Sequence, residues 1–175
     1  QDYQVSFLDA DDKVVATQSG GGQVAPRIVW DGRDEQGETV ADGIYRARLQ
    51  VSYRHGNVND AISAPFTVDT VAPRATVELS DTIFSPDGDG NKDSLTVRHP
   101  RSTTEEVWNA GFAPADNLAN LIRTFQLTGQ LPEITWDGTD DDGNAVDDGS
   151  YRYVVRATDR AGNRFQTNSD AIRID

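Results

Sequence analysis

The chain lacks cysteine and methionine, and no apolar run in it approaches the length of a membrane span. Without cysteine, disulfides, thiol catalysis and thiolate metal sites are excluded. Without about 20 consecutive apolar residues, a transmembrane helix is excluded as well. The absence of both oxidisable side chains fits a secreted protein. No signal peptide is recognisable, so we expect a mature chain or a piece of a longer one.

Basic residues are scarce relative to acidic ones. Lys and Arg number 16 against 29 Asp and Glu, which gives a formal net charge of −13. Such a chain repels phosphate backbones and anionic lipids, so we expect neither nucleic acid nor a membrane surface as a partner. The same balance suits cations, Ca²⁺ among them. A length of 175 residues fits one or two domains.

An internal repeat predicts two domains. When the sequence is shifted by 106 residues, Val29–Asp69 aligns with Thr135–Asp175 without a gap, and 15 of the 41 positions are identical. Both copies contain Trp-Asp-Gly, followed by Asp-Gly and Tyr-Arg. A period of this length, present twice, indicates two copies of one module. We place the modules at residues 1–70 and 71–175, with a short and stiff joint at Pro73.

The pattern within each copy predicts short strands. Apolar and polar side chains alternate over residues 45–51, as in a half-buried strand, and residues 151–157 repeat this alternation. We expect Pro26–Trp30 and Pro132–Trp136 to form the preceding strands, and Phe165 to Ile174 to form the last one. The fold class is therefore all-β, with two tandem immunoglobulin-like or fibronectin III-like β-sandwiches.

Two points of the fold stay open at this stage. Tyr3 to Gln18 runs parallel to Trp108 to Gln126, but the first copy has no counterpart of residues 74–106. Either the sequence begins inside a module, which is then truncated at its N-terminus, or the first module is a shorter sandwich. The spacing from Leu118 to Phe125 allows a short helix, although the parallel with the first copy favours strand–turn–strand.

The second copy contains two longer motifs. They are Trp136-Asp137-Gly138-x-Asp140-x-x-Gly143 with Asp148-Gly149-x-Tyr151 and Ala157-Thr158-Asp159-x-Ala161-Gly162-Asn163, and Phe84-Ser85-Pro86-Asp87-Gly88-Asp89-Gly90. Together these motifs resemble the Ig-like domain family of flagellar hook-capping proteins, the FlgD type. The resemblance implies noncatalytic spacer, cap or assembly modules in bacterial surface and secreted proteins. The first copy departs from the family by lacking the Phe-Ser-Pro opening.

The loop after that opening is the sharpest candidate for a binding site. Oxygen-bearing side chains alternate along it at Asp87, Asp89, Asn91 and Asp93, a spacing that suits a hard cation such as a structural Ca²⁺. The loop is not an EF-hand, because Lys92 stands where the invariant glycine belongs. The competing interpretation is a turn in which these side chains bind backbone amides.

The remaining polar clusters favour architecture over catalysis. A second acidic group, at residues 137–148, recurs at residues 31–42, as expected of a structural feature of the repeat. Glycosidases need two carboxyl groups about 5–9.5 Å apart beside a cleft, and no cleft is expected on such turns. His55 and His99 fall in predicted loops and form no Ser-His-Asp arrangement. We expect Trp30, Trp108 and Trp136 to pack over the cores, with a sugar-stacking platform as the alternative.

These observations predict that the chain is not an enzyme. We expect a structural, assembly or spacer module pair of a bacterial cell-surface, periplasmic or secreted protein. Its partners would be neighbouring domains of the parent chain or other cell-envelope proteins. The alternative is an accessory carbohydrate-binding module of a secreted enzyme, with a glycan as the partner.

Overall fold

A computed structural model of the chain describes residues 1–53 and 58–175. These residues form two compact units, Gln1–Thr70 and Val71–Asp175. The described part of the chain contains strands and turns but no helix, which confirms the all-β prediction. Accordingly, the described residues offer no helix that could cross a membrane. Turns followed by a strand occupy the stretch around Leu118 to Phe125, so its helical spacing was misleading.

The first unit contains one five-stranded sheet. Its strands are β1 Asp2–Leu8, β2 Val14–Gly21, β3 Gly43–Ser52, β4 Val58–Ile62 and β5 Phe66–Val68. Strands β1 and β2 form a hairpin, and Asp12 in its turn adopts a left-handed φ of 61°. Strand β1 also pairs antiparallel with β3, and β3 pairs with β4 along one part and with β5 along another.

The second unit is a sandwich of two sheets. Its strands are β6 Glu78–Leu79, β7 Ile83–Phe84, β8 Leu95–Arg98, β9 Glu105–Pro114, β10 Arg123–Gly129, β11 Ile134–Trp136, β12 Gly149–Thr158, β13 Arg164–Asn168 and β14 Ile172–Ile174. The larger sheet has the order β10-β9-β12-β14-β7, and β13 also pairs with β12; the smaller sheet has the order β11-β8-β6. Strands β14 and β7 pair in parallel, whereas the other pairs are antiparallel.

The two units have cores of different size. In the second unit, side chains of both sheets meet in one core, including Leu95 and Trp136 of the smaller sheet and Trp108, Phe112 and Tyr153 of the larger one. The buried cluster of the first unit is limited to Val5, Phe7 and Ala16, with partly buried neighbours around it. The sheet of the first unit therefore corresponds to the larger sheet of the second unit, and its described residues form a smaller buried cluster.

The predicted strand Pro26–Trp30 is wrong for the first unit. Residues 26–30 lie in no strand there, whereas Ile134–Trp136 form β11 as expected. The reason is the missing partner: β11 is hydrogen-bonded to β8, which belongs to the segment 74–106 that has no counterpart in the first copy. A strand exists only when another strand satisfies its backbone groups, so the same sequence pattern gives different structures in the two units.

The predicted last strand is divided in both units. In the second unit, β13 and β14 flank a break at Ser169, and in the first unit β4 and β5 flank one at Ser63. The serine hydroxyl accepts a hydrogen bond from the neighbouring strand, from Tyr153 N at 3.0 Å and from Ala47 N at 2.9 Å. A side chain thus replaces one backbone partner, and the chain shifts to pair with the other part of the long strand.

Candidate functional site

The repeated Trp-Asp-Gly motif forms the same local structure in both units. The glycine has a left-handed φ of 74° at Gly32 and 75° at Gly138, a conformation that L side chains avoid. A Cβ at Gly138 would also lie 2.8 Å from Pro86 Cγ. The turn directs the indole N–H back to the loop, where Trp30 Nε1 donates to Arg33 O at 2.7 Å and Trp136 Nε1 donates to Thr139 O at 2.8 Å. The motif therefore forms a structural turn that both units share.

The acidic side chains after this motif accept hydrogen bonds from their own turns. Asp140 Oδ1 accepts from the backbone N–H groups of Asp142 and Asn144, at 3.0 and 2.8 Å. In the first unit, Asp34 Oδ1 accepts from Gln36 N and Glu38 N, both at 2.9 Å. These bonds favour the ionised carboxylate and hold the pKa of Asp140 below its usual value. The backbone N–H of Asn144 contributes most to this shift.

Two further carboxylates of the second unit bind neighbouring threonines. Asp137 accepts from Thr139 Oγ1 at 2.6 Å, and Asp141 Oδ2 accepts from Thr124 Oγ1 at 2.7 Å. The pKa of Asp137 is lowered chiefly by the hydroxyl of Thr139, and that of Asp141 chiefly by the backbone N–H of Thr124. Asp140 and Asp141 border an open depression of about 600 Å³ rather than an enclosed cleft. All three carboxyls with shifted pKa in this hairpin are therefore stabilised as anions.

The tryptophans take core positions to different degrees. Trp108 and Trp136 are 0% and 1% exposed, and Trp136 stacks on Phe112 with a centroid separation of 4.0 Å. Trp30 stacks on Phe7 in the same way, at 4.5 Å, but is only partly buried. Trp108 Nε1 donates to Gly129 O at 2.9 Å. The predicted packing of tryptophan over the cores is what the structure shows, with Trp30 the most accessible of the three.

The predicted cation loop follows β7 and brings three of its four candidate residues together. Carboxylate oxygens of Asp87, Asp89 and Asp93 lie within 4.8 Å of one another, the one such group of three or more found among residues 1–53 and 58–175. Asn91 takes part through its backbone N–H, which donates to Asp89 Oδ1 at 2.7 Å. The side chains of Asp87 and Asp89 are exposed, and that of Asp93 is partly buried.

The same carboxylates also organise the loop as a turn. Asp93 accepts from Gly88 N at 2.9 Å and from Gly90 N at 2.8 Å, so both of its oxygens bind backbone amides. Lys92 has a left-handed φ of 56°, and its Nζ lies 2.5 Å from Asp81 Oδ2. That hydrogen bond is the main reason why the pKa of Asp81 is lowered. The turn interpretation thus describes the hydrogen bonding of this loop.

A family comparison matches the two segments that contain the Trp-Asp-Gly turns. The model of the FlgD Ig-like domain matches residues 1–55 and 105–161, together more than half of the chain. The chain belongs to the FlgD Ig-like domain family. The resemblance seen in the sequence is thereby confirmed, and the two units are tandem Ig-like modules. No curated protein matches the chain.

One solved structure is similar to the two FlgD Ig-like modules along their whole length. It is the crystal structure of a tetra-tandem repeat in the extending region of a large adhesion protein, with 17% sequence identity and a TM-score of 0.42. The match covers 99% of this chain and 42% of that chain. The chain therefore spans less than half of the protein that it matches.

Of the two histidines in the FlgD Ig-like modules, the structure describes His99 but not His55. His99 follows β8 as a loop residue, but it is partly buried rather than free on the surface. Its Nδ1 lies 2.7 Å from Pro132 O and therefore carries the proton, while Nε2 lies 3.1 Å from the hydroxyl of Tyr153 and accepts from it. Burial lowers the pKa of His99.

Two serines that the sequence did not single out, Ser63 and Ser169, divide the last strand in each FlgD Ig-like module. Each hydroxyl also donates to the next backbone carbonyl, Ala64 O or Asp170 O, at 2.7 Å. The signal was present, because serine is one of the identical positions of the repeat. Its meaning could not be read without knowing that the strand changes partners at this point.

Proposed function

We propose that the chain is a noncatalytic structural module pair, acting as a spacer or assembly element of a bacterial cell-surface, periplasmic or secreted protein. Membership of the FlgD Ig-like family supports a module of this kind. The observation that carries the proposal is that the polar residues shared by both units form hydrogen bonds within their own module. A side chain engaged in this way contributes to the folding of its own module.

Three bonds illustrate this shared use. The Trp indole N–H, the Asp34 or Asp140 carboxylate and the Tyr45 or Tyr151 hydroxyl each have the same kind of partner in both units. Each tyrosine hydroxyl donates to a backbone carbonyl four residues earlier, at 2.7 Å. The same arrangement is thus built twice, as expected of a scaffold.

The electrostatics of the acidic hairpin also support a noncatalytic role. A glycosidase needs one carboxyl group whose pKa is raised, so that it can donate a proton near neutral pH. The pKa values of Asp137, Asp140 and Asp141 are shifted in the opposite direction by hydrogen bonds to the ionised form. Carboxylates in this state serve as turn acceptors.

Module replacement in the full-length parent protein tests the spacer role. Two unrelated β-sandwich modules of the same combined length, substituted for residues 1–175, are expected to preserve the surface function of the parent protein. Deletion of the same residues is expected to impair it, because it changes the spacing of the flanking parts. Loss of function after the length-matched replacement would show that the surface of these modules matters, and would contradict a spacer.

An accessory carbohydrate-binding module remains the alternative function. Its best candidate contact is Trp30, because the other two tryptophans are buried and cannot stack on a sugar. A glycan array probed with the native chain and with Trp30→Ala distinguishes the two functions. Binding that disappears in Trp30→Ala would favour the carbohydrate module, whereas no binding by either protein favours the spacer.

We also propose a structural Ca²⁺ at Asp87, Asp89 and Asp93, with Asn91 in the same loop. The support is the group of carboxylate oxygens within 4.8 Å, of the hard type that Ca²⁺ prefers. At a free concentration of 100 times Kd, the bound ion would stabilise the fold by about 2.7 kcal/mol. Thermal melts with Ca²⁺ and with chelator should then differ by several degrees.

A charge-matched pair of variants makes the calcium test specific. Asp89→Ala is expected to abolish the difference between the two melts. Asp142→Ala removes the same charge from an exposed position of the acidic hairpin and is expected to preserve the difference. Superimposable melts of the native chain with Ca²⁺ and with chelator would rule the ion out.

A further inference from the structure

The turns of both units are rich in aspartate followed by glycine, a dipeptide that can rearrange chemically because glycine leaves its own amide nitrogen unhindered. The nitrogen attacks Cγ of the protonated carboxyl group, the amide proton and the carboxyl hydroxyl leave as water, and a succinimide ring forms. Hydrolysis at the backbone carbonyl of the ring then gives isoaspartate, which adds a methylene to the backbone. The chain contains seven such dipeptides, all in described residues, which begin at Asp31, Asp42, Asp87, Asp89, Asp137, Asp142 and Asp148.

Hydrogen bonds or strand pairing hold the glycine backbone in five of the seven dipeptides. Two of the glycine amides donate to the carboxylate of Asp93, at 2.9 and 2.8 Å, and one donates to the backbone carbonyl of Asp140 at 3.2 Å. Two more glycines begin β3 and β12, where they pair with β5 and β14. An amide held in this way must lose its partner before it can turn toward the preceding side chain. The five glycines are, in this order, Gly88, Gly90, Gly143, Gly43 and Gly149.

The two remaining dipeptides are those of the Trp-Asp-Gly turns. Among the described residues, neither Gly32 N nor Gly138 N has a hydrogen-bond acceptor, and neither glycine lies in a strand. Both glycines have the same left-handed φ, and both aspartates are exposed. The turns differ in the residue that follows the glycine, which is Arg33 in the first unit and Thr139 in the second. This residue therefore decides how free each carboxyl group is.

The threonine hydroxyl anchors the carboxylate of the second unit. Asp137 Oδ1 accepts from Thr139 N at 3.1 Å and from Thr139 Oγ1 at 2.6 Å. Asp31 Oδ1 accepts from Arg33 N at 3.2 Å, but arginine has no hydroxyl to add to that bond. Arg33 Nε lies 3.8 Å from Asp31 Oδ2 with both side chains largely exposed, so this ion pair contributes little. The hydroxyl bond also lowers the pKa of Asp137, which reduces the protonated form that reacts.

We propose that Asp31 is a site of spontaneous modification, at which the peptide bond to Gly32 rearranges through a succinimide to isoaspartate. Loss of one hydrogen bond to a charged group corresponds to about a tenfold difference in rate between Asp31 and Asp137. The added methylene lies within the turn that directs Trp30 Nε1 to Arg33 O at 2.7 Å, so the product loses this turn. The proposal does not depend on whether the module pair acts as a spacer.

Prolonged incubation of the folded chain in mildly acidic buffer tests the proposal, because the protonated carboxyl group is the reactive form. Peptide mapping with fragmentation that distinguishes aspartate from isoaspartate then locates the product. We expect isoaspartate at Asp31 in about tenfold excess over Asp137, and at Asp31 more than at any of the five dipeptides whose glycine is held. The same chain incubated in guanidinium chloride should lose this preference, because unfolding removes the bonds that distinguish the seven dipeptides.

Two substitutions of the same shape isolate the effect of the hydroxyl. Arg33→Thr supplies the group that anchors Asp137 in the second unit, and it is expected to lower the amount of isoaspartate at Asp31 by about tenfold. Arg33→Val has the same branched shape without a hydroxyl and is expected to preserve the native rate. Isoaspartate chiefly at another dipeptide, none at Asp31, the same distribution in the folded and the unfolded chain, or equal effects of the two substitutions would each overturn the proposal.

Discussion

Removal of the repeated tryptophan should cost different amounts of stability in the two units. Trp30 and Trp136 occupy the same position of the repeat, stack on equivalent phenylalanines and donate the same backbone hydrogen bond. Trp136 is 1% exposed, whereas Trp30 is only partly buried among the described residues of the first unit. The pair of substitutions Trp30→Ala and Trp136→Ala thus isolates the effect of the covering sheet.

The magnitude follows from whether a cavity remains. Trp136→Ala leaves a space enclosed between two sheets, and large-to-small substitution of a buried tryptophan costs about 3–5 kcal/mol. Trp30→Ala opens onto solvent, so water refills the space and the cavity contribution is largely lost. Each 50 Å³ of persistent cavity adds about 1.2 kcal/mol at about 24 cal/mol per Å³. We therefore expect Trp30→Ala to cost about 1–2 kcal/mol less.

Native-state hydrogen exchange measures both costs in the intact chain. Amides of β3 report the stability of the first unit and amides of β12 that of the second, so each variant is compared with the native chain at its own unit. The reasoning would be refuted if the two substitutions lowered the free energy of unfolding equally, within roughly 0.5 kcal/mol, the accuracy with which the effects of independent substitutions add. Trp30 would then have to be covered as completely as Trp136.

Three other predictions concern the second unit. Ser169→Ala should destabilise it by about 1–3 kcal/mol in urea unfolding, because the buried Tyr153 N loses its acceptor, whereas Ser63→Ala in the more exposed first unit should cost less. His99 should make stability fall as pH decreases through about 6.5, because its native pKa is lowered and the unfolded chain takes up the proton first. His99→Gln should remove that slope in pH-dependent melts, and an unchanged slope would contradict the assignment. Asp140 should contribute stability above about pH 3.8 that is lost as pH falls through its lowered native pKa, so Asp140→Asn should flatten the acid limb.

The fold was largely predictable because its signals are local and occur twice. The alternation from Tyr45 and from Tyr151 identified the two long strands, and the Trp-Asp-Gly turns appear in both units as expected. The sequence wrongly predicted a strand at residues 26–30, because strand formation there depends on a partner far away in the sequence. The pattern Pro-x-Ile-x-Trp occurs in both copies, and only the strand pairing differs.

The residues of the candidate site could be predicted from the sequence, but their hydrogen bonds could not. Alternation of oxygen ligands located Asp87, Asp89 and Asp93, and these side chains do converge. Sequence spacing did not reveal that Asp93 already binds two backbone amides, because that depends on the left-handed conformation of the loop at Gly88, Gly90 and Lys92. The contact between His99 and Tyr153 could not be predicted either, because it joins residues that are far apart in the sequence.

The parallel pairing of β7 with β14 affects how the second unit responds to mechanical tension. Ile83 and Phe84 lie near the start of this unit and pair with Arg173 and Ile174 at its end. Pulling on the two ends slides these parallel strands past each other, so their hydrogen bonds must break together rather than one after another. Within residues 1–53 and 58–70, the last strand of the first unit, β5, pairs with β3 alone, and this pairing is antiparallel. In single-molecule stretching, the first unit should therefore yield at the lower force.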